Sequence, residues 1–305
     1  MRRLAPLLLL FAVAGCDSLG GDAGFTPEVV VESYQLAGRP FEPVRLSRTA
    51  PVDRIYNAEE QAIRDARVAV VLLRSDGTEE ARFPFALSNG ADGRYDAVGA
   101  GGVVLPLRRY RLEADVPGFG RVTSETVVPD TFRIVSANAD SLTYQGAQQF
   151  IFRVTRSAYP GRKTFYNFTT ETLLDEPAVT DATPFIRSFL DQNDDGRVDD
   201  DVDFDLEDLR ISGSPLLNEA NYIENADGTI SIRLPWIAVV FYGPNRIAAN
   251  AVDDNLYDFV RSQSVQQGGS TLSPGEIPNV LDRVDNGRGL FGSYARVERR
   301  VFVAR

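Results

Sequence analysis

The chain has 305 residues, with 43 acidic and 32 basic side chains, a formal net charge of −11, one cysteine and no histidine. A negative surface disfavours binding to nucleic-acid phosphates. Without histidine the chain cannot form a Ser-His-Asp or Cys-His catalytic arrangement, or an ordinary catalytic zinc site. It also lacks P-loop, G-x-S-x-G and strand-linked G-x-G-x-x-G motifs. The composition therefore predicts a protein that is not an enzyme.

The first sixteen residues have the pattern of a bacterial lipoprotein export signal. Arg2 and Arg3 precede an apolar run at residues 7–13, and small residues precede Cys16. The run is shorter than the ~20 residues that a transmembrane helix requires. We predict a signal peptide over residues 1–15, a lipid anchor on Cys16 and a flexible tether over residues 16–26. Such an anchor would hold the chain on a membrane, and the signal does not determine which face it occupies.

An ordinary secretory signal that happens to carry a nearby cysteine is the alternative interpretation. Cys16 is the only cysteine in the chain, so a structural disulfide cannot account for its presence.

Residues 27–129 contain short β-strand patterns separated by turn residues. About seven strands over roughly 100 residues are typical of a β-sandwich, which we predict for this domain. Pro84 favours an edge strand or a strand end for the segment that contains it. The predicted strands cover residues 28–34, 44–47, 67–73, 82–87, a short segment at Tyr95, 109–116 and 121–127.

Pro129-Asp130 marks the predicted boundary with a second domain over residues 130–305, which is also mainly β. The apolar segment 236–242 predicts a buried strand, and the next three residues, 243–245, predict a turn. The other predicted strands are 132–135, 149–154, 163–168, 229–234, 246–249 and 294–303, with a hairpin turn at 225–228. The predicted fold class is therefore all-β.

One helix is expected in the second domain. Asp253 or Asp254 can cap its start, and Leu256, Phe259 and Val260 share one face at helical spacing. Gly268-Gly269 would end it.

Residues 191–208 form an acidic loop with ten carboxylates and one arginine. Its first nine residues match an EF-hand-type loop, with oxygen ligands at positions 1, 3, 5 and 9, glycine at position 6 and a backbone carbonyl at position 7. Val202 stands where that loop has a bidentate glutamate, so Asp201, Asp203 or Asp205 would complete the shell. We predict a structural Ca²⁺ site, and the alternative is a solvated acidic loop. The predicted ligands are Asp191, Asn193, Asp195, Arg197 through its carbonyl, Asp199 and Asp203.

Short motifs occur in a fixed order along nearly the whole chain after the signal. The closing segment 284–294 contains Asn286-Gly287-Arg288-Gly289-Leu290-Phe291, and the earlier motifs are 29–34, 43–49, 66–68, 110–112, 117–118, 126–129, 256–260 and 277–280. In this order the chain resembles a family of Bacteroidota outer-membrane lipoproteins, the domain of unknown function DUF4249. The closing segment is similar to that family's Asn-Ile-x-x-Gly-x-Gly-x-Phe signature, with Val284-Asp285 where the family usually has Asn-Ile.

The resemblance implies an outer-membrane location, either on the periplasmic face or at the cell surface. It also implies a partner protein, but it does not imply an enzymatic activity. The first domain looks like a sandwich of the transthyretin or carboxypeptidase-regulatory type. Because such lipoproteins are often encoded beside TonB-dependent receptors, we expect a non-enzymatic accessory or binding partner of such a receptor in nutrient uptake. The family offers no catalytic or ligand-binding residue to carry over.

Two alternative functions stay open. The first is a stand-alone carbohydrate- or peptide-binding surface module, which would show a groove of exposed tyrosine and tryptophan on a sheet face; Trp236 is the only tryptophan. The second is a carboxylate-dependent hydrolase, which needs two acidic residues roughly 5–9 Å apart in a cleft.

Overall fold

A computed structural model describes residues 25–305 except 52, 91, 100–101, 201, 203–205, 218–221 and 267–280, and also without the side chains of 263–266. The predicted signal peptide, Cys16 and most of the predicted tether lie outside the described residues. Within these residues no helix is long and apolar enough to cross a membrane. The all-β prediction is confirmed, since strands form one large sheet and one smaller sheet.

The strands are Val29–Leu36 (β1), Val44–Arg48 (β2), Arg67–Leu73 (β3), Glu79–Leu87 (β4), Arg94–Ala97 (β5), Arg109–Val116 (β6), Gly120–Val127 (β7), Ile134–Ala137 (β8), Ser141–Thr143 (β9), Ile151–Val154 (β10), Phe165–Thr172 (β11), Ile211–Gly213 (β12), Tyr222–Glu224 (β13), Ile230–Arg233 (β14), Gly243–Val252 (β15), Val284–Asp285 (β16) and Arg288–Ala304 (β17). The helices are Ala58–Gln61 (α1), Pro184–Leu190 (α2) and Asp254–Gln266 (α3), with 3₁₀ turns at Val179–Asp181 and Trp236–Ala238.

The first seven strands form the predicted sandwich-like part. Side chains alternate along β6, where Tyr110, Leu112 and Ala114 are buried and their neighbours are partly exposed. Strand β3 is buried on both faces from Val68 to Leu73, because β4 and β6 pair with its two edges and its side chains pack above and below the sheet. The sequence pattern therefore identified these strands correctly.

The large sheet runs in the order β12-β11-β15-β17-β1-β2-β5-β4-β3-β6-β7-β16. Its first four strands and its last strand, β16, come from the predicted second domain, and the seven strands between them come from the first. The smaller sheet, β13-β14-β10-β8, packs on the second-domain strands, where Phe152 stacks on Phe168 with ring centroids 5.9 Å apart. One hydrophobic core includes buried residues from both parts of the chain.

Strand β17 joins the two parts. Its first half pairs in parallel with β1, from Arg288 beside Val30 to Tyr294 beside Leu36. Its second half pairs antiparallel with β15, as far as Val303 beside Gly243. Just before it, β16 pairs with β7 at the far edge of the first part. At ~3.3 Å per residue, its 17 residues extend about 55 Å.

Gly289 allows β17 to approach β1 closely. Its φ is +100°, and a Cβ built there would lie 2.1 Å from the carbonyl oxygen of Val31. Only glycine combines this backbone angle with such a short distance, because any side chain would collide with the neighbouring strand. The glycine in the closing motif therefore sets the parallel pairing of the two strands.

The predicted strand at 236–242 is wrong. Residues 236–238 form a 3₁₀ turn after Pro235. The carbonyl groups of the buried segment that follows accept hydrogen bonds from a side chain as well as from the backbone. The Thr183 hydroxyl donates to the carbonyl of Val239 at 2.9 Å, and the Thr183 N–H donates to Val240 at 2.7 Å. The segment is apolar because it is buried, although it does not form a strand, and this explains the wrong prediction.

Two other local predictions also differ. The turn expected at residues 243–245 is the start of β15. Strand β4 lies between β3 and β5 and is not an edge strand, but β5 pairs only with Phe85–Leu87. The missing N–H of Pro84 therefore falls where that ladder ends, and the Pro84 carbonyl accepts from Val98 at 2.9 Å.

The helix prediction is confirmed, since the Asp253 carboxylate caps α3 by accepting from the N–H of Leu256 at 2.8 Å. The predicted end at Gly268-Gly269 lies outside the described residues. Helix α2 was not predicted, although Pro184 at its first turn is a recognised start signal. The hairpin at 225–228 is confirmed by the pairing of β13 with β14.

Candidate functional site

A groove of about 600 Å³ opens on the face of the large sheet that the small sheet leaves uncovered. Strands β11, β15, β17 and β1 form its floor, with β2 and β5 at one side and α3 at the other. The alternation of β11 separates the two faces: Phe168 is buried against the small sheet, while Asn167 and Thr169 line the groove. The groove thus lies where β17 joins the two parts of the chain.

Helix α3 forms an apolar wall of the groove through Leu256 and Val260. It can pack onto β17 because Gly292 has no side chain, and a Cβ at that position would lie 2.8 Å from Leu256 Cγ. The helix is also fixed by Asn255, whose side-chain amide donates to the carbonyls of Glu125 and Phe291 at 2.7 Å each. This wall is therefore held to both parts of the chain.

A row of polar side chains crosses the floor. Arg296 Nε donates to Asn250 Oδ1 at 2.7 Å, and an Arg296 Nη donates to Thr169 Oγ1 at 3.3 Å. The Asn250 amide in turn donates to Asn167 Oδ1 at 3.2 Å. Asn250 is 3% exposed, so these hydrogen bonds hold Arg296 over a buried anchor.

Two tyrosines lie beside this row. Tyr34 on β1 is partly exposed, and Tyr294 on β17 lies 5.1 Å from the Arg296 guanidinium carbon, measured to the ring centroid. Burial raises the pKa of both phenols, so both are neutral donors at physiological pH. Trp236 does not line the groove and packs against Tyr144, with centroids 5.3 Å apart.

The acidic loop follows α2 and has the turns expected of an EF-hand-type loop. The Asp191 carboxylate accepts from the N–H groups of Asp195 at 2.9 Å and Gly196 at 3.0 Å, and Asn193 Oδ1 also accepts from Asp195 at 2.9 Å. Asp194 and Gly196 have φ of +59° and +82°. The backbone path therefore fits the sequence pattern.

The predicted ligand side chains do not converge on one point. Asp191 also accepts from the Arg187 guanidinium at 3.1 Å, and the Asp199 carboxylate accepts from the Gln192 N–H at 2.7 Å. Among the described residues, no group of three or more acidic, histidine or cysteine side chains is placed to hold a metal ion. Asp203, Asp201 and Asp205 lie outside those residues, and Arg197 donates its N–H to Asp195 at 2.9 Å.

A small separate core supports this loop. Leu190 at the end of α2 is fully buried with Val240 and Phe241, and Val198 and Val202 pack against them. Val202, which occupies the position of the missing bidentate glutamate, therefore has a packing role.

A buried carboxylate joins α3 to the two parts of the chain. The Asp253 side chain is within hydrogen-bond distance of the Thr126 hydroxyl on β7, and Thr126 also contacts Ser293 on β17. Ser293 can donate further to the carbonyl of Val127 at 3.3 Å. Burial raises the pKa of Asp253 to about 7, against the opposing effect of these hydrogen bonds. The sequence showed Asp253 only as a helix cap.

The structure defines a mainly β protein in which one long strand joins two parts beside a polar groove. The sequence profile of the domain of unknown function DUF4249 matches residues 19–300, so the chain belongs to that family. The expected membership of this domain family, based on the closing motif and the earlier motifs, is confirmed. No functionally curated protein matches the chain.

Distant solved structures share a β-rich character. They include a Salmonella alpha-2-macroglobulin reacted with methylamine (12% identity, 92% of this chain, 15% of that chain, TM-score 0.24) and a tandem repeat from the extending region of a large adhesion protein (13%, 90%, 48%, TM-score 0.21). A trypsin-activated alpha-2-macroglobulin from Escherichia coli matches at 9% identity over 92% of this chain and 16% of that chain, with a TM-score of 0.24. The chain spans less than half the length of each, and no functional argument rests on them.

Replacing Asp253 with asparagine should remove one source of pH-dependent stability. The native carboxyl stays protonated up to about pH 7, whereas the unfolded one ionises near pH 4, so its contribution to the free energy of unfolding falls as pH rises between these values. The stability of Asp253→Asn relative to the natural chain should therefore increase over this range, by a total on the order of 3–4 kcal/mol. Denaturant unfolding at several pH values measures it.

Asp96→Asn is the control, because Asp96 is half-exposed and pairs with Arg94 on the surface. A constant difference between Asp253→Asn and the natural chain from pH 4 to pH 7 would contradict the assignment of a protonated buried acid.

Proposed function

We propose that the protein is a lipid-anchored lipoprotein of the outer membrane that acts, without catalysis, as a binding partner of a TonB-dependent receptor in nutrient uptake. The observation that supports this is the family match from residue 19 to residue 300, which begins directly after the predicted lipid anchor at Cys16. The receptor partner is proposed from the family resemblance, and membrane attachment is proposed from the export signal with Cys16.

The fold separates the start of β1, which follows the proposed anchor and tether, from the acidic loop. Residues 17–28 separate Cys16 from β1 and can extend at most about 40 Å. Strands β1 and β17 both start at this end, and β17 continues past the end of β1 toward β15. Arg305, after β17, donates to the carbonyl of Thr180 beside α2 at 2.7 Å. The acidic loop therefore lies at the end of the fold away from the start of β1.

An exposed apolar strip is our candidate for the receptor contact. Val103, Leu105 and Leu107 are 48%, 41% and 45% exposed, and Val104 between them is buried and anchors the segment. Leu107 has a φ of +60°, which is uncommon for leucine and marks a backbone held by its surroundings. Adjacent exposed apolar side chains are typical of protein interfaces.

Gentle detergent extraction of the tagged, natively lipidated chain, followed by mass spectrometry, tests the partnership. We expect a TonB-dependent receptor in near-stoichiometric amount, and Cys16→Ser should remove the bait itself from the membrane fraction. The double variant Val103→Ser, Leu105→Ser should reduce receptor recovery severalfold. Val135→Ser, at another exposed site, should not.

Recovery of the lipidated protein without a receptor would contradict the partnership. Normal recovery with the double variant would instead contradict only the choice of contact surface.

The groove favours one alternative, a stand-alone carbohydrate- or peptide-binding module, because Tyr34 and Tyr294 line it together with polar side chains. Trp236 contributes nothing to that groove. A hydrolase has no comparable support in the described part of the chain, since Glu32, one of the two groove carboxylates, forms an exposed ion pair with Arg45, with the Glu32 oxygen 3.7 Å from an Arg45 nitrogen.

We also propose that the acidic loop binds Ca²⁺ as a structural ion. The loop turns support this, and binding would require the carboxylates of Asp191, Asp195 and Asp199 to move toward one point, with Asp203 completing the shell. The ion would exchange the Arg187 contact of Asp191 for a coordination bond.

Calorimetric titration of the chelated protein with Ca²⁺ should give a saturable heat below millimolar concentration. Asp195→Asn should weaken binding at least about tenfold by removing one ligand charge, whereas Asp140→Asn, at an exposed site off the loop, should leave it unchanged. Absence of heat up to millimolar Ca²⁺ would rule the ion out and leave a solvated acidic loop held by its own small core.

A further inference from the structure

One arginine of the groove has no carboxylate partner among the described residues, although the protein is acidic. Three guanidinium groups and two carboxylates line it, while the chain carries a net charge of −11. Two of the arginines form ion pairs with carboxylates: an Arg45 Nη lies 3.0 Å from an Asp92 oxygen, and Arg94 Nε lies 2.9 Å from an Asp96 oxygen. The third, Arg296, has no carboxylate of the described residues within ion-pair distance. Arg296 is therefore the groove arginine whose charge is not offset by an ion pair with a described carboxylate.

Arg296 is held in place by neutral groups. Its Nε donates to Asn250 and one Nη donates to Thr169. The other Nη has no hydrogen-bond acceptor among the described residues. The buried Asn250 is itself fixed by Asn167 and Thr169. A guanidinium oriented by amide and hydroxyl groups keeps its full charge and offers a preorganised donor to an anion.

The rest of the groove suits a ligand rich in hydroxyl groups better than a peptide strand. Every floor strand has its edges paired within the sheet, in the order β11-β15-β17-β1-β2, so no free backbone edge is available for an added strand. The remaining polar contacts come from side-chain amides and hydroxyls, beside the rings of Tyr34 and Tyr294. Aromatic faces and amides bind the apolar faces and hydroxyl groups of sugar rings.

We propose that this groove binds an acidic oligosaccharide, with the carboxylate of one uronic-acid unit on Arg296 and a neighbouring sugar ring against Tyr34 or Tyr294. The volume of about 600 Å³ is in the range of small-molecule sites and accommodates a short oligosaccharide. The assignment concerns the groove itself and holds whether or not a receptor partner is found.

Calorimetry on the detergent-solubilised, full-length protein with a tetragalacturonate tests the proposal. We expect saturable binding, and the fully methyl-esterified tetramer should bind at least about tenfold more weakly, because it cannot form the charge-assisted hydrogen bonds. Arg296→Gln should give a similar loss with the acid and little change with the ester. Arg299→Gln is the matched control, since Arg299 lies on the same strand outside the groove and forms an ion pair with Asp140.

Arg296→Lys separates ligand binding from folding, because it retains the charge and should keep part of the affinity. Thermal melting of each variant shows that its fold is retained. Equal affinity for acid and ester, or unchanged binding by Arg296→Gln, would overturn the role of Arg296. A tetrapeptide with a free carboxyl terminus that binds while the tetragalacturonate does not would overturn the sugar assignment.

Discussion

The close parallel contact between β1 and β17 is the constraint on which the rest of the structure depends. Gly289 brings the two strands together at a distance that no side chain permits. Because β17 then continues along β15, the same strand fixes the position of the second part relative to the first. The groove lies at this junction, so its floor is made of residues that are distant in sequence.

The junction is reinforced by buried polar contacts. Asn255 and Asp253 at the start of α3 reach β7 and β17, and Ser293 links the same two strands. Buried polar groups of this kind stabilise only if each finds a partner, and here each is satisfied. They fix α3 as a wall of the groove, while the same burial raises the pKa of the Asp253 carboxyl. The groove geometry and the stability of the junction thus rest on the same residues.

Sequence patterns predicted the elements that depend mainly on residues close together in the chain, such as single strands and a helix cap. Strand β3 was located to the residue, and the cap and apolar face of α3 were both recognised. The segment 236–242 was misread because burial makes a sequence apolar whether its backbone pairs in a sheet or bonds to threonine side chains. The pairing of β17 with both β1 and β15 could not be predicted, because the sequence shows that a strand exists but not which strands lie beside it.

The same limit applies to the sites. The acidic loop was found because its residues are consecutive, although the carboxylates that the structure describes in it do not form a metal-binding group. Arg296 and Asn250 were invisible as a pair, since each sits in an ordinary alternating strand and only the β15–β17 register places them opposite each other. A lone arginine supported by amides has no sequence signature.

The most direct test of the shared-strand account is native-state hydrogen exchange on the full-length chain and on Gly289→Ala, with Gly77→Ala as control. Gly77 also has positive φ, but no atom lies within 4 Å of a Cβ built there, so it should lose only about 1 kcal/mol. The account predicts that Gly289→Ala lowers protection of β15 amides as well as those of β1, by more than the control does. Loss confined to β1 and its neighbours in the first part would contradict a single strand joining both.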